Sequence, residues 1–249
     1  MEACLVTKLR AKPVCSAWLL AAAVSLTLAA AGCGGANFGS ELSAKPKPQA
    51  LGRTEGKTLR LPQDEPFSIH LNQSQQQADL DGTVAAEAQA QREGQGAASA
   101  QVSNGGQASA TFQLGHAFAN DGDRQVDLNV AVGCEYEYEA GADPATPWPD
   151  ATVGLKLYAR DGRNRLLNSF SLAQHSTEQG AASSRDHKEL RFTLTLGPGE
   201  SVNVFLAGQV AIEVEAGRSA HGSLKLSGLQ MEVETRPAPP VRTAGDEQG

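Results

Sequence analysis

The chain has 249 residues, of which 20% are charged, 40% hydrophobic and only 5% aromatic, with 26 Gly and 12 Pro. That length suits one ordinary domain with appendages, and the hydrophobic share excludes wholesale disorder. Four cysteines are too few for a disulfide-stapled scaffold, and a net charge of −7 leaves no basic face for nucleic acid.

Lys8, Arg10 and Lys12 precede an uncharged run, Val14 to Ala31, carrying Trp18, Leu19, Leu20, Val24, Leu26 and Leu28. It ends in Ala29-Ala30-Ala31-Gly32, directly before Cys33. A positive start, an apolar middle and a small-residue end make 1–32 a secretory signal peptide. With Cys33 placed after Ala31-Gly32, this ending resembles the lipobox of bacterial lipoproteins, although Ala30 stands where that family usually has Leu. The resemblance implies cleavage before Cys33, diacylation of its sulfur and, usually, acylation of the new amino group. The implied partner is the lipid bilayer, and the implied place is the cell membrane or outer membrane, facing the periplasm or the exterior. Two other readings stay open. Ala29 and Ala31 also satisfy ordinary signal-peptidase cleavage, and the uncharged run approaches the lower limit of an uncleaved membrane span. Removal of 1–32 takes away three cations against Glu2 alone, so anionic lipid surfaces would repel what remains. Attachment then rests on acyl chains, each buried CH₂ contributing about 0.8 kcal/mol.

Residues 33–57 are rich in Gly and Pro without apolar periodicity, and read as a lipidated flexible linker. From 58 to 234 the signal is alternation with period two. Val126, Leu128, Val130, Val132, Cys134, Tyr136 and Tyr138 share one face of a long strand, opposite a face with Glu135, Glu137 and Glu139. Val153, Leu155 and Leu157 repeat the pattern, as do Leu190 to Leu196 and Val202 to Val214. Leu224 and Leu226 open a last strand whose register slips at Gly228, after which Leu229, Met231 and Val233 face inward. A one-residue slip at Gly is the mark of a bulge. The alanine-rich stretch 84–110 alternates too, and is read as strand at a sheet edge or in a protruding hairpin. Asn104-Gly105, Asp121-Gly122, Asp161-Gly162 and Gly197-Pro198-Gly199 are expected to be hairpin turns. Nine or ten strands point to an all-β fold, a single antiparallel β-sandwich of jelly-roll-like type, with a disordered tail over 235–249.

No nucleophile elbow, zinc-protease helix, Walker loop or dinucleotide glycine signature is present, so the chain is expected to be no enzyme. His116 falls on an inward register and reads as a buried imidazole rather than a ligand. Asp186-His187 lies in a polar stretch, 178–188, read as a solvated loop. Cys134, on the core face, reads as a small buried hydrophobe. Asn120-Asp121-Gly122-Asp123 bunches oxygen ligands, so Asp121 and Asp123 are candidates for calcium, as is the Asp79–Gly82 turn; no other cofactor is expected. Turns alone account for such residues, and that is the favoured reading. The loop Asp143 to Asp150 holds Trp148 among prolines, flanked by the acids Asp143 and Asp150. Exposed, Trp148 would stack on a sugar ring with the carboxylates on its hydroxyls; buried, it would plug one end of the sandwich. The expected function is a non-catalytic structural or interaction module of the cell envelope with a protein or glycan partner. The alternative is a carbohydrate-binding jelly roll, and a hydrolase is the weakest of the three readings.

Overall fold

The computed structural model describes residues 46–51, 56, 58–143, 148 and 150–238. The expected signal peptide, Cys33, most of the expected linker and residues 239–249 of the expected tail lie outside the described residues, as does the leading unit Met1–Ala36. Twelve strands are present among those described. They are β1 (Gln49–Ala50), β2 (Thr58–Leu61), β3 (Ile69–Ala78), β4 (Thr83–Gln91), β5 (Gln95–Ser103) and β6 (Gly106–Ala119), then β7 (Val126–Asp143), β8 (Ala151–Asp161), β9 (Leu166–Ser176), β10 (Ala182–Leu196), β11 (Ser201–Val214) and β12 (Ser219–Pro237).

Two six-stranded sheets result. One runs β6–β11–β8–β9, with β3 and the short parallel β1 along the other side of β6; the second runs β10–β7–β12–β5–β4, with β2 beside β12. The pairings are nested about the β8–β9 hairpin: β7 pairs with β10, β6 with β11, and β5 with β12. This order makes the fold jelly-roll-like, as the sequence pattern indicates. The count exceeds nine or ten because β1, β2 and β3 carry little alternation; β3 is exposed on both faces from Asn72 to Ala78.

The long alternating strands bury most of the expected faces, with Val126, Tyr138, Leu190 and Phe192 only partly buried at the margin. Leu128, Val130, Val132, Cys134 and Tyr136 of β7 meet Phe112, Leu114, Val204 and Leu206 from the facing sheet in one core. Residues 84–91 are strand, and β4 forms the edge of its sheet. The pairing of β12 with β7 shifts between Ser227 and Gln230, and Gly228 has a left-handed φ of 60° there. The expected bulge is in place, and Leu229, Met231 and Val233 are buried.

The turns correct one expectation. Of the four expected hairpins only Asp161-Gly162 joins paired neighbours, β8 and β9. Asn104-Gly105, Asp121-Gly122 and Gly197-Pro198-Gly199 each carry the chain from one sheet to the other. The same residues suit either task, because each permits a tight reversal whether or not the flanking strands pair. Asp186 and His187 are also corrected: they belong to strand β10, not to a loop.

A crossing between sheets leaves backbone groups without a ladder, so side chains must satisfy them. Asn120, 1% exposed, does so at one end. Its Nδ2 hydrogens point at the carbonyls of Arg124 (2.7 Å), Leu196 (3.1 Å) and Gly197 (3.1 Å), while Oδ1 accepts from the Gly122 N–H at 3.1 Å. Its own N–H donates to the Glu200 carbonyl (2.9 Å) and its carbonyl accepts from Gly199 (2.8 Å). At the other end Asn104, with φ 62°, donates to the Asp81 carbonyl (3.1 Å) and accepts from the Gly217 N–H (2.8 Å). Asn120→Ala should cost about 2–4 kcal/mol of unfolding free energy in denaturant titration, since it orphans several buried partners. A cost under about 0.5 kcal/mol would mean that water replaces the amide.

His116 faces the core, 3% exposed, against the Phe118 ring at a centroid distance of 5.0 Å. Its Nδ1 accepts from the Ser68 N–H at 3.2 Å, and Nε2 has no partner. Burial lowers its pKa from 6.5 to about 4. The unfolded chain therefore takes up this proton first as pH falls. The stability due to the neutral ring is complete above about pH 6.5 and drains away towards pH 4, by roughly 3 kcal/mol. Unfolding free energies measured between pH 7 and 4 should show this loss, and His116→Leu should remove that part of the slope.

Candidate functional site

The register places the loops at two opposite ends. Ala119 of β6, Ser201 of β11, Val126 of β7 and Pro237 of β12 lie at one end, with Asn120. Gly106, Val214, Asp143 and Ser219 lie at the other. The chain joins the first end: β1 runs beside Phe118 and Ala119, and the Ala238 N–H donates to the Gln125 carbonyl at 3.2 Å. Trp148 belongs to the second end.

Trp148 is 65% exposed, so it is not a plug of the sandwich. Its carbonyl is held by the Asp150 N–H at 2.9 Å, and the Asp150 carbonyl in turn accepts from Glu213 of β11 at 2.9 Å. These bonds fix the end of the loop on the sheet. Beside the ring lies an open cleft of about 580 Å³, lined by Asp79, Gln107, Asp150, Glu213, Glu215 and Arg218 as well as Trp148. Gln107 Nε2 donates to Glu213 Oε1 at 3.1 Å across the β6–β11 pair. Acids outnumber cations among the described residues of this lining, so the cleft is electronegative.

The three ligand candidates of this loop separate. Trp148 stands at the cleft with its ring accessible. Asp150 is 4% exposed, and the Arg218 guanidinium binds it in a partly buried ion pair. That pairing spends the carboxylate on the loop base rather than leaving it for a ligand. Asp143, exposed at the end of β7, is not among the residues lining the cleft. The long-range partners Arg218, Glu213 and Gln107 carry no local signal in the sequence; only the pairing of β6 with β11 brings the last two together.

Asp121 and Asp123 lie at the opposite end, both exposed, in the turn that Asn120 organises. Among the described residues no group of three or more His, Cys, Asp or Glu side chains is arranged to hold a metal ion. Asp79 and Asp81 likewise close the β3–β4 crossing, where the Gly82 N–H donates to the Asp79 carbonyl at 3.0 Å.

The remaining reactive groups are structural. Cys134 is 1% exposed, and burial pushes its thiol up to about 11, the opposite of an activated nucleophile. Asp186 sits 2.6 Å from Lys188 Nζ and 3.3 Å from the Tyr136 hydroxyl, whose proton goes to the Leu172 carbonyl at 2.9 Å. The Lys188 ammonium holds the Asp186 carboxyl below the usual carboxylate range. On the outer face of the second sheet Glu135 meets Arg185 (3.3 Å), Glu137 meets Lys225 (3.0 Å) and Glu139 meets His221 (3.5 Å). This face of β7, a strand interior to its sheet, is thus exposed, with Glu135 and Glu137 paired to cations.

No protein-family profile and no curated protein matches the chain. Among solved structures, an arabinose-bound α-L-arabinofuranosidase aligns over 64% of this chain at 14% identity and a TM-score of 0.20. Two structures of infectious bursal disease virus, from the Gx and Gt strains, align over 74% and 78% at 11% and 13% identity, with TM-scores of 0.24 and 0.25. The chain spans 23% of the first of these proteins and 38% and 42% of the viral ones.

Proposed function

We propose that this chain is an exported, lipid-anchored protein of the cell envelope that displays a non-catalytic β-sandwich as an interaction module. The observation that supports this reading is the placement of chain entry and cleft at opposite ends of the sandwich. Cys33 precedes β1, and β1 joins the sheet beside Ala119. An attachment at Cys33 reaches the sandwich through that end of the chain, so the Trp148 end takes no part in anchoring and is left for partners. Two or three acyl chains suffice for stable attachment of an acidic domain that anionic lipid would otherwise repel. Cys33→Ser should move the protein from the membrane to the soluble fraction and abolish metabolic labelling with fatty acid. A variant that stays in the membrane with its N-terminal segment uncleaved would overturn the lipoprotein reading in favour of a helical anchor.

The exposed ring of Trp148 favours a second reading of the same site, a carbohydrate-binding module. An accessible indole offers an apolar face to a sugar ring, and Gln107, Glu213 and Asp79 at the cleft offer hydrogen bonds to hydroxyls. Calcium is not required for this arrangement. Screening the protein against immobilised glycans, with and without chelator, tests it. Binding that survives chelation and falls at least about tenfold in Trp148→Ala is the expected result, in line with the loss of one stacking contact. Binding unchanged in that variant would remove the cleft from consideration.

A further inference from the structure

Apart from the short β1 and β2, four strands among the described residues lie at sheet edges, β3, β4, β9 and β10, and they are not alike. An edge exposes unpaired N–H and C=O groups, and proteins normally blunt it with charge, proline, bulges or a cover. The β10 edge carries Arg185, Asp186, His187, Lys188, Glu189 and Arg191. The β9 edge is broken twice, where its register on β8 shifts between Leu155 and Lys156 and between Ala159 and Arg160. The β4 edge bears Glu87, and Gln76 Nε2 caps its Ala86 carbonyl at 3.0 Å. The β3 edge has none of these devices. From Ile69 to Ala78 it holds no Asp, Glu, Lys, Arg or Pro, and it pairs with β6 without a shift over all ten residues. From Asn72 onwards it is exposed to its end.

We infer that the β3 edge is an interaction surface for a second copy of this chain, joined by antiparallel pairing of β3 with its counterpart. The sequence Asn72-Gln73-Ser74-Gln75-Gln76-Gln77 is what selects that occupant. Asn and Gln amides both donate and accept, so apart from Gln76, which is engaged with Ala86 of β4, these side chains can bond across an antiparallel pair to one another whichever residue sits at the axis. The absence of charge removes the repulsion that a charged edge would meet in its own copy. An isologous pair of this kind closes on itself about a two-fold axis, and the two first sheets become one continuous sheet. Facing residues of an antiparallel pair point to the same side, so Ser74 or Gln75 meets its own counterpart at the axis. The inference does not depend on the lipid anchor or on the cleft.

Cysteine cross-linking of the full chain in intact expressing cells, read on total protein whether it fractionates with membranes or not, tests it. Facing strands bring Cα atoms to about 4.5–5.5 Å, within disulfide range. Ser74→Cys or Gln75→Cys should therefore give disulfide-linked dimers under mild oxidation, above the background of the unsubstituted chain. Ser183→Cys, exposed on the charged β10 edge, should not. Adding Gln73→Lys and Gln77→Lys to the cross-linking chain should reduce the dimer at least tenfold. These positions are exposed, so the core is untouched. Absence of dimer, equal dimer from Ser183→Cys, or indifference to the lysines overturns the proposal. A cross-linked band heavier or lighter than two chains also overturns it, in favour of a foreign strand on the same edge.

Discussion

The structure depends on satisfying backbone groups where the chain leaves one sheet for the other. Strand β6 shows how this is done, because an asparagine stands at each of its ends. Asn104 ties the crossing before it to Asp81 and Gly217; Asn120 ties the crossing after it to Arg124, Leu196, Gly197 and Gly122. Each amide joins two turns that are far apart in sequence. The two sheets are thereby held in register at their ends while the apolar faces between them supply the bulk of the cohesion. Hydrophobic burial is non-directional and would tolerate some sliding of one sheet over the other. Fixed amide geometry does not.

The same organisation separates two kinds of surface. On the outer face of the second sheet acids and bases alternate across β10, β7 and β12, so that its charges are paired locally. At the Trp148 end the acids are not matched in this way, since Arg218 is engaged with Asp150 and Asp79, Glu213 and Glu215 remain around the ring. Surface ion pairs contribute little to stability individually, and their effect on the outer face is to leave little net field there. At this end an approaching molecule meets acids that lack a cation partner in the cleft lining. That is also the end farthest from where the chain enters the sandwich.

Much of this fold is legible in the sequence because β7, β8, β11 and β12 alternate cleanly enough to fix which side chains face the core. Even the slip at Gly228 is readable, since the apolar residues change parity there. The destination of the turns is not readable. Asn104-Gly105 and Asp161-Gly162 carry similar local chemistry, yet one crosses between sheets and the other closes a hairpin, and only long-range pairing decides between them. Strand β3 escapes notice for a different reason: beyond Leu71 it buries neither face, so it has no apolar period to detect. At the candidate site, the composition of the loop singles out Trp148, but Asp150 is settled by Arg218, sixty-eight residues further along the chain. The exposure of an indole on a proline-rich loop depends on how that loop is anchored, which its own residues do not state.

The nested pairing about the β8–β9 hairpin bears on how such a chain reaches its fold. Taken alone, bringing β5 to β12 would close a loop of most of the domain. If β8 meets β9 first, the ends of β7 and β10 are already near one another, and each further pair then closes only a short additional loop. Loop-closure entropy is spread over successive small steps rather than met at once. Within each sheet the outer pair adjoins an inner one, β6–β11 beside β8 in the first sheet and β5–β12 beside β7 in the second. A topology this rich in long-range pairs belongs to the slower-folding class of domains, because loop-closure entropy is met before non-local contacts reward it.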